Sequence, residues 1–359
     1  MKVFVAMSGG VDSSLAAALL LQEGYDVVGI TMRVWSGDHD DLNRPSRCCS
    51  ERAARDARQV AAHLSIKHYV VSYLQPFREF VIDDFVSRYL AGETPNPCIR
   101  CNRYVKFGKL LEESVALGAD YLASGHYARI RRDDATGRFL LLKGLDRGKD
   151  QSYALYALTQ RQLSRMIFPL GDQQKEHTRR IAEELRLRVA HKPESQEICF
   201  IPDGDYGAFL RAQAPSMMRP GPIRNLDSEE IGQHQGLGLY TVGQRKGLGI
   251  AAGQPLYVVR LDPERNAIVV GPDAAVWRDT CEVRDINWIA FDHPPDQLRA
   301  KVKIRYLHKE QDATLRPTGD ETAEIRFDEP QRAITPGQAA VFYDGDIVLG
   351  GGTIAIARE

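Results

Sequence analysis

Several things are scarce in this 359-residue sequence, and each scarcity removes a class of answer. Net charge is nearly absent: 47 lysines and arginines face 48 aspartates and glutamates, a formal balance of −1. That removes any global electrostatic argument for a nucleic-acid partner, so such contact has to come from a local basic patch. Long hydrophobic runs are absent too. The longest, LAAALLL, is far too short to span a bilayer, and the start, MKVFVAMSGG, lacks the basic-then-apolar pattern of a cleaved leader. The expectation is a soluble cytoplasmic protein with no membrane association. Cysteine is sparse, at positions 48, 49, 98, 101, 199 and 281. A chain this long buries a core without disulfides, and in a reducing compartment such residues serve as thiols, ligands or catalysts more than as bridges. Tandem repeats and low-complexity tracts are also missing.

What is present, up to about residue 200, is alternation. KVFVAM reads as a strand, SSLAAALLLQEG as a helix ending on Gly24, YDVVGITMRV as a strand and SERAARDARQVAAHL as a helix. KHYVVSY, the helix FREFVIDDFVSRYLAG, then RYVKFGKLLEESVALG leading into the strand ADYLASG continue the pattern. Strand and helix alternating at this spacing predict a parallel sheet covered on both faces, with ligands beyond the carboxyl ends of the strands. The loops after Met7, Met32 and Ser124 are therefore the first places to look. Beyond about residue 203 glycine-rich sequence carries short β runs such as LYVVRLD and NAIVVGP, and from about 276 short strands alternate with turn clusters. The expected fold is an α/β N-terminal domain with a parallel sheet (1–203), a small β-rich central domain (204–275) and a C-terminal β-barrel (276–359).

The strongest motif is AMSGGVDSS, residues 6–14, between the first strand and the first helix. Gly9 and Gly10 let consecutive N–H groups face an anion, the helix start adds its dipole, and Ser8, Ser13 and Ser14 offer hydroxyls. This describes a phosphate cradle, although without the GK[ST] ending of a Walker loop. The competing reading is a Gly-Gly turn with a Ser/Asp cap. A second motif, TPNPCIRCN (94–102), sets Cys98 and Cys101 at a Cys-x-x-Cys spacing. Half a zinc site, a redox dithiol, cluster ligands and a reactive thiol with a helper all fit that spacing.

SGGVDSS resembles the pyrophosphate loop of the ATP pyrophosphatases, which adenylate a substrate oxygen and release pyrophosphate. Together with it CCSERAARDARQVA, TPNPCIRCNRYVKFG, ASGHYAR, KDQSYAL, SQEICFI, YTVGQRKGLG and PGQAAVFYDGDIVLGGG, in order across nearly the whole chain, resemble the tRNA-specific 2-thiouridylases. The resemblance implies an adenine nucleotide alpha hydrolase-like N-terminal fold, with ATP and Mg2+ as cofactors. The implied reaction adenylates the C2 oxygen of the wobble uridine and replaces it with sulfur. The positions matching the ATP site are Ala6, Met7, Ser8, Gly9, Gly10, Val11, Asp12, Ser13, Met32 and Gly125. Cys101 matches the catalytic cysteine and Cys199 the persulfide carrier; Asn96, Pro97 and Cys98 match the loop touching the target base. His126, Lys149, Asp150, Gln151, Arg305, Tyr306 and Gln338 match tRNA contacts. The implied partners are the tRNA anticodon stem-loop and a sulfur donor: a cysteine desulfurase, a sulfur-relay protein or inorganic sulfide.

The chemistry is coherent on its own terms. A carbonyl oxygen leaves poorly, but as an adenylate it departs with AMP, and the incoming sulfur needs a low-pKa thiol, a persulfide or a cluster-bound sulfide. A dry pocket must keep water from the activated base, and a single-stranded loop makes that base reachable. This sequence departs from the commoner family pattern by carrying Cys98 where an aspartate usually stands. Cys98, Cys101 and Cys199 could hold three irons of a [4Fe-4S] cluster and leave the fourth open to sulfide, whereas zinc would want a fourth protein ligand. Persulfide relay, cluster, and structural metal or inert thiols all stay open at this point. Cys48 and Cys49, adjacent at a helix start, read as packed or incidental, and Cys281 as a small residue in a strand.

Further on, LRAKVKIRY has a period of two, which puts Arg299, Lys301, Lys303 and Arg305 on one face and Ala300, Val302, Ile304 and Tyr306 on the other. The basic face suits phosphate contacts, or else a solvated face paired with acids such as Glu321 or Glu324. GLGIAA at Gly247 neither clearly follows a strand nor opens a helix, so it reads as a loop. Judged without the resemblance, His126 is as compatible with packing as with catalysis. Two other functions are weighed: an adenylating ligase or amidase acting on another acceptor, and a nonenzymatic tRNA-binding protein in which ATP only shapes the surface.

Overall fold

Near-continuous apolar runs at Val3–Val5 and Val27–Met32 leave no polar side for a strand to show to water, so such strands must be covered on both faces. The computed structural model describes residues 1–35, 50–193, 198–201, 204–215, 218–251 and 253–358. The chain falls into two compact units: one of Met1–Val81, Cys98–Phe200 and Asp346–Val348, the other of Ile82–Pro97, Ile201–Gly345 and Leu349–Glu359.

The first unit contains strands β1 (Lys2–Ala6), β2 (Asp26–Arg33), β3 (Lys67–Ser72), β4 (Tyr121–Ser124), β5 (Ala128–Arg132), β6 (Phe139–Lys143) and β7 (Met166–Ile167). Five of them form the parallel sheet β3-β2-β1-β4-β7, with Val5 of β1 registered against Gly29 on one side and Ala123 on the other. The expected parallel α/β sheet is thus present. Helix α1 (Val11–Gln22) buries Ala16, Ala17, Leu15 and Leu20; small residues there let it lie close to the sheet. Helix α2 (Glu51–His63) buries only Ala53, Ala57, Val60 and Ala61, a stripe at helical spacing, and Ser50 caps it by accepting from Ala53 N. Each fully buried leucine or valine here contributes about 2 kcal/mol. β5 and β6 form an antiparallel hairpin, against which Ile347 and Val348 pair.

In the second unit β8 (Gly221–Arg224), β9 (Glu230–His234), β10 (Tyr257–Asp262) and β11 (Ala267–Gly271) form the sheet β10-β11-β8-β9. The remaining strands are β12 (Trp277–Trp288), β13 (Leu298–Lys303), β14 (Gln311–Gly319), β15 (Thr322–Arg332), β16 (Ala339–Asp344) and β17 (Ile347–Arg358). They run in the order β12-β15-β14-β13-β16-β17, and β12 pairs back onto β17, so these six strands close as the expected barrel. Val302, Leu315, Ile325 and Phe342 fill it. Cys281 belongs to this core, fully buried, and desolvation pushes its thiol up to about 12, which makes it inert. The helix Asp83–Leu90 belongs to this unit through Tyr89 stacked on Tyr206 and Phe85 set edge-on to Phe209. Residues 247–251 are irregular, with Gly247 and Gly249 at positive φ. Among the described residues no helix is long and apolar enough to cross a membrane.

Candidate active site

At the carboxyl end of β1 the backbone turns through Gly9, at φ +68°, into Gly10, the N-cap of α1. A Cβ on Gly9 would stand 2.2 Å from the carbonyl oxygen of Ala53, so both its conformation and its neighbour demand glycine. Gly125, just past β4, is equally constrained: a Cβ there would lie 2.5 Å from the Asp12 carbonyl carbon and 2.6 Å from Ser13 N. These close approaches wrap the loop around a cavity of about 270 Å³ at the carboxyl ends of β1, β2 and β4. Its wall holds Ala6, Met7, Ser8, Gly10, Val11, Asp12, Ser13, Met32 and Gly125, together with Ile30, Lys106, Ser124, His126, Gln151, Lys192 and Pro193. Of the ten residues matched to a nucleotide site only Gly9 is outside the wall, in the turn behind it.

Polar contacts fix this loop. Ser13 Oγ accepts from Ser8 N at 3.1 Å, lies 3.3 Å from Ser8 Oγ and donates to Gly10 O at 3.2 Å. Ser14 offers nothing to a ligand, contrary to expectation, because its hydroxyl is fully buried and donates to Gly10 O. Asp12 accepts from Lys175 Nζ at 2.7 and 2.8 Å and from the Tyr127 hydroxyl at 2.9 Å. A lysine that is only 7% exposed thereby cancels the one carboxylate among the described residues of the cavity wall. Lys192 Nζ donates to Gly9 O at 2.8 Å and pairs with Asp56 on α2. Lys106 donates to the buried Asn102, whose amide in turn donates to Ala154 O. Sequence reading missed all three lysines. They come from far along the chain, and the only signal was the absence of a lysine in the loop itself.

His126 is a packed, neutral histidine that also faces the cavity. Its ring stands edge-on to Phe107 and Phe168, Nδ1 is 2.8 Å from Ser124 Oγ, and desolvation, with the Lys106 charge second, holds its pKa well below the usual range.

Comparison with known proteins supplies the family. Residues 1–203 match the family profile described as the tRNA methyl transferase HUP domain, 207–272 the tRNA methyl transferase PRC-barrel domain and 278–354 the aminomethyltransferase beta-barrel domain. The tRNA-specific 2-thiouridylase MnmA of Symbiobacterium thermophilum is 52% identical over 98% of this chain and 92% of its own length. Its namesake from Moorella thermoacetica is 52% identical over 98% of each chain, and that of Pelotomaculum thermopropionicum 51% over 98% of this chain and 97% of its own. The chain belongs to the tRNA-specific 2-thiouridylase family.

The three cysteines singled out by the sequence, Cys98, Cys101 and Cys199, lie in the same unit as the cavity but not among its described wall residues. Cys98, exposed, sits in the helical turn Pro97–Arg100, and the partly buried Cys101 opens a π-helical stretch, Cys101–Lys109. Three residues apart along a helix, the two thiols share a face, and π-helical turns recur at functional sites. Tyr104 pins the stretch, stacked on Phe80 at 5.3 Å beneath the Arg100 guanidinium. Lys106 of this same stretch reaches the cavity wall. Cys199, partly buried, is followed by Phe200, which is buried edge-on against Phe77. Among the described residues no three of His, Cys, Asp and Glu gather into a group that could hold a metal ion. Cys98, Cys101 and Cys199 therefore do not fit a three-cysteine cluster site as they stand. Cys48 and Cys49 lie outside the described residues.

The positions expected from the resemblance to contact tRNA divide by what already occupies them. Gln151 is in the cavity wall, its side chain accepting from Tyr127 N. The Asp150 carboxylate caps its own turn, accepting from Gly144 N, Ser152 N and Ser152 Oγ, while Lys149 is partly exposed beside it. Gln338 donates to Thr94 O, and Thr94 N to Pro336 O, which braces the chain just before Asn96 and buried Pro97. On β13 the alternation stops at Lys303: Ile304 is buried, but Tyr306 turns outward, 43% exposed, beside exposed Arg305. Arg299 is bidentate to Asp328 and Lys301 pairs with Asp312, so half of the basic stripe is neutralised. The acids that take Arg299 and Lys301 are Asp328 and Asp312.

Proposed function

We propose that the chain is an ATP-dependent tRNA-uridine 2-sulfurtransferase acting on the wobble uridine of an anticodon loop. One observation carries the reading: a family-matched phosphate loop is folded around a cavity at the switch between parallel strands, with cations supplied from outside the loop. MgATP is the substrate. Asp12, the one carboxylate among the described residues of the cavity wall, has both oxygens against Lys175, so the magnesium ion travels on the nucleotide's phosphates.

The uridine C2 oxygen attacks the α-phosphorus, and pyrophosphate leaves with the electron pair of the broken P–O bond. Neutral His126, set among Phe107 and Phe168, provides a wall that excludes water from the adenylated base. A terminal persulfide sulfur on Cys199 attacks C2, and AMP departs with the former carbonyl oxygen. The Cys101 thiolate then attacks Cys199 Sγ, releasing 2-thiouridine and leaving a Cys101–Cys199 disulfide for an external dithiol to reduce. A cysteine desulfurase or sulfur-relay protein reloads Cys199. Asn96, Pro97, Lys149, Arg305 and Tyr306 are our candidates for tRNA contact, with Asp150 and Gln338 acting through the loops they brace. The test is nucleoside mass spectrometry on unmodified tRNA incubated with purified protein, MgATP and a persulfide donor. Product with the mass of 2-thiouridine is expected, and its absence would end the proposal.

A further inference from the structure

Pyrophosphate leaves the adenylation step carrying several negative charges, while the start of α1 offers only about half a positive charge. Ordinary ATP loops supply the remainder with a lysine inside the loop, and here AMSGGVDSS has none. Two lysines line the cavity and a third stands behind it, and their contacts separate their roles. Lys175 is committed to both oxygens of Asp12. Lys106 stands beside Asn102 and His126, where its charge helps to hold the imidazole neutral. Lys192 reaches the backbone of the phosphate loop, with Nζ 2.8 Å from Gly9 O.

An ammonium group has three N–H donors. For Lys192, Gly9 O takes one and Asp56 a second, which fixes the ammonium at the cavity wall and, among the described residues, leaves one donor for a ligand. Held by α2 on one side and by the loop carbonyl on the other, this flexible side chain is already ordered before any nucleotide arrives, so little further entropy is lost on binding.

We propose that Lys192 is the cation that binds the pyrophosphate moiety of ATP, taking the place of the missing loop lysine. This rests on the reading of the cavity as the ATP site. The experiment measures binding of inorganic pyrophosphate and of adenosine to the full chain by calorimetry, for the wild type, Lys192→Met and Lys192→Arg. Loss of one charge-assisted contact should weaken pyrophosphate binding by roughly ten- to a hundredfold in Lys192→Met, leave adenosine binding unchanged, and be largely restored in Lys192→Arg. Wild-type affinity for pyrophosphate in Lys192→Met overturns the assignment. So does equal loss of pyrophosphate and adenosine binding, which would mark a collapsed site, and so does an arginine variant as weak as the methionine one. Failure of the wild type to bind either probe would instead sink the ATP-site reading, and Lys192's role with it.

Discussion

Lys175 Nζ lies 2.7 and 2.8 Å from the two carboxylate oxygens of Asp12, and the lysine is almost wholly buried. The pair neutralises an acid that would otherwise repel phosphate from the very loop meant to hold it. Replacing Lys175 with Met leaves that carboxylate uncompensated, which should cost about 3 kcal/mol of stability and raise the KM for ATP. Urea unfolding and pyrophosphate-release kinetics check both. Adding Asp12→Asn should recover much of the stability, because the charge then has no need of a partner.

Gly125 makes a sharper test of geometry. An alanine Cβ would meet the backbone of Asp12 and Ser13 at 2.5–2.6 Å, and backbone cannot swing aside as a side chain does. Gly125→Ala should therefore displace the start of α1 and lower ATP-dependent pyrophosphate release by more than tenfold, with tRNA binding retained. A filter-binding assay run alongside the pyrophosphate assay distinguishes this from global unfolding.

The thiols separate the two half-reactions. Cys101→Ser and Cys199→Ser should each abolish 2-thiouridine formation while tRNA-dependent pyrophosphate release continues, because neither residue is in the cavity wall. With no three-residue metal-holding group among the described residues, anaerobically purified protein should carry well under one iron per chain. Its thiolation should survive an iron-selective chelator. Stoichiometric iron that is lost in Cys98→Ala would overturn the persulfide route.

Much of this site was legible because local sequence determines local geometry. Gly9, Gly10 and Ser13 advertise an anion loop by their own conformational and hydrogen-bonding properties, and the strand–helix alternation fixes which ends of the strands the cavity occupies. Lys106, Lys175 and Lys192 were not legible, since a lysine on an amphipathic helix or in a loop looks alike whether it meets solvent or Asp12. Only the tertiary fold makes them neighbours of residues far away in the chain. Which acids meet the basic stripe on β13 was not legible for a related reason: period two gives the face, but the cross-strand acids Asp312 and Asp328 come from β14 and β15, whose register no single strand encodes. Tyr306 escaped the period because the strand ends three residues earlier.

Histidines give the protein a predictable acid limb. Burial, with Arg305 and Lys303 nearby, lowers His308 from its ordinary value to about 4, and its Nδ1 is buried with no hydrogen-bond partner among the described residues. His126, His68 and His234 are also lowered, chiefly by desolvation. A histidine depressed in this way stays neutral when folded but takes up a proton near pH 6.5 once unfolded, so below that pH protons bind preferentially to the unfolded chain. Stability should thus be flat above about pH 7 and fall between pH 6.5 and 4, by roughly 1 kcal/mol per pH unit for each fully shifted histidine. His308→Gln should make the fall shallower without altering stability at pH 8 by more than about 1 kcal/mol. Urea midpoints by tryptophan fluorescence at pH 8, 6 and 5 provide the measurement. An unchanged slope in His308→Gln would show that this imidazole titrates alike in the folded and unfolded chain.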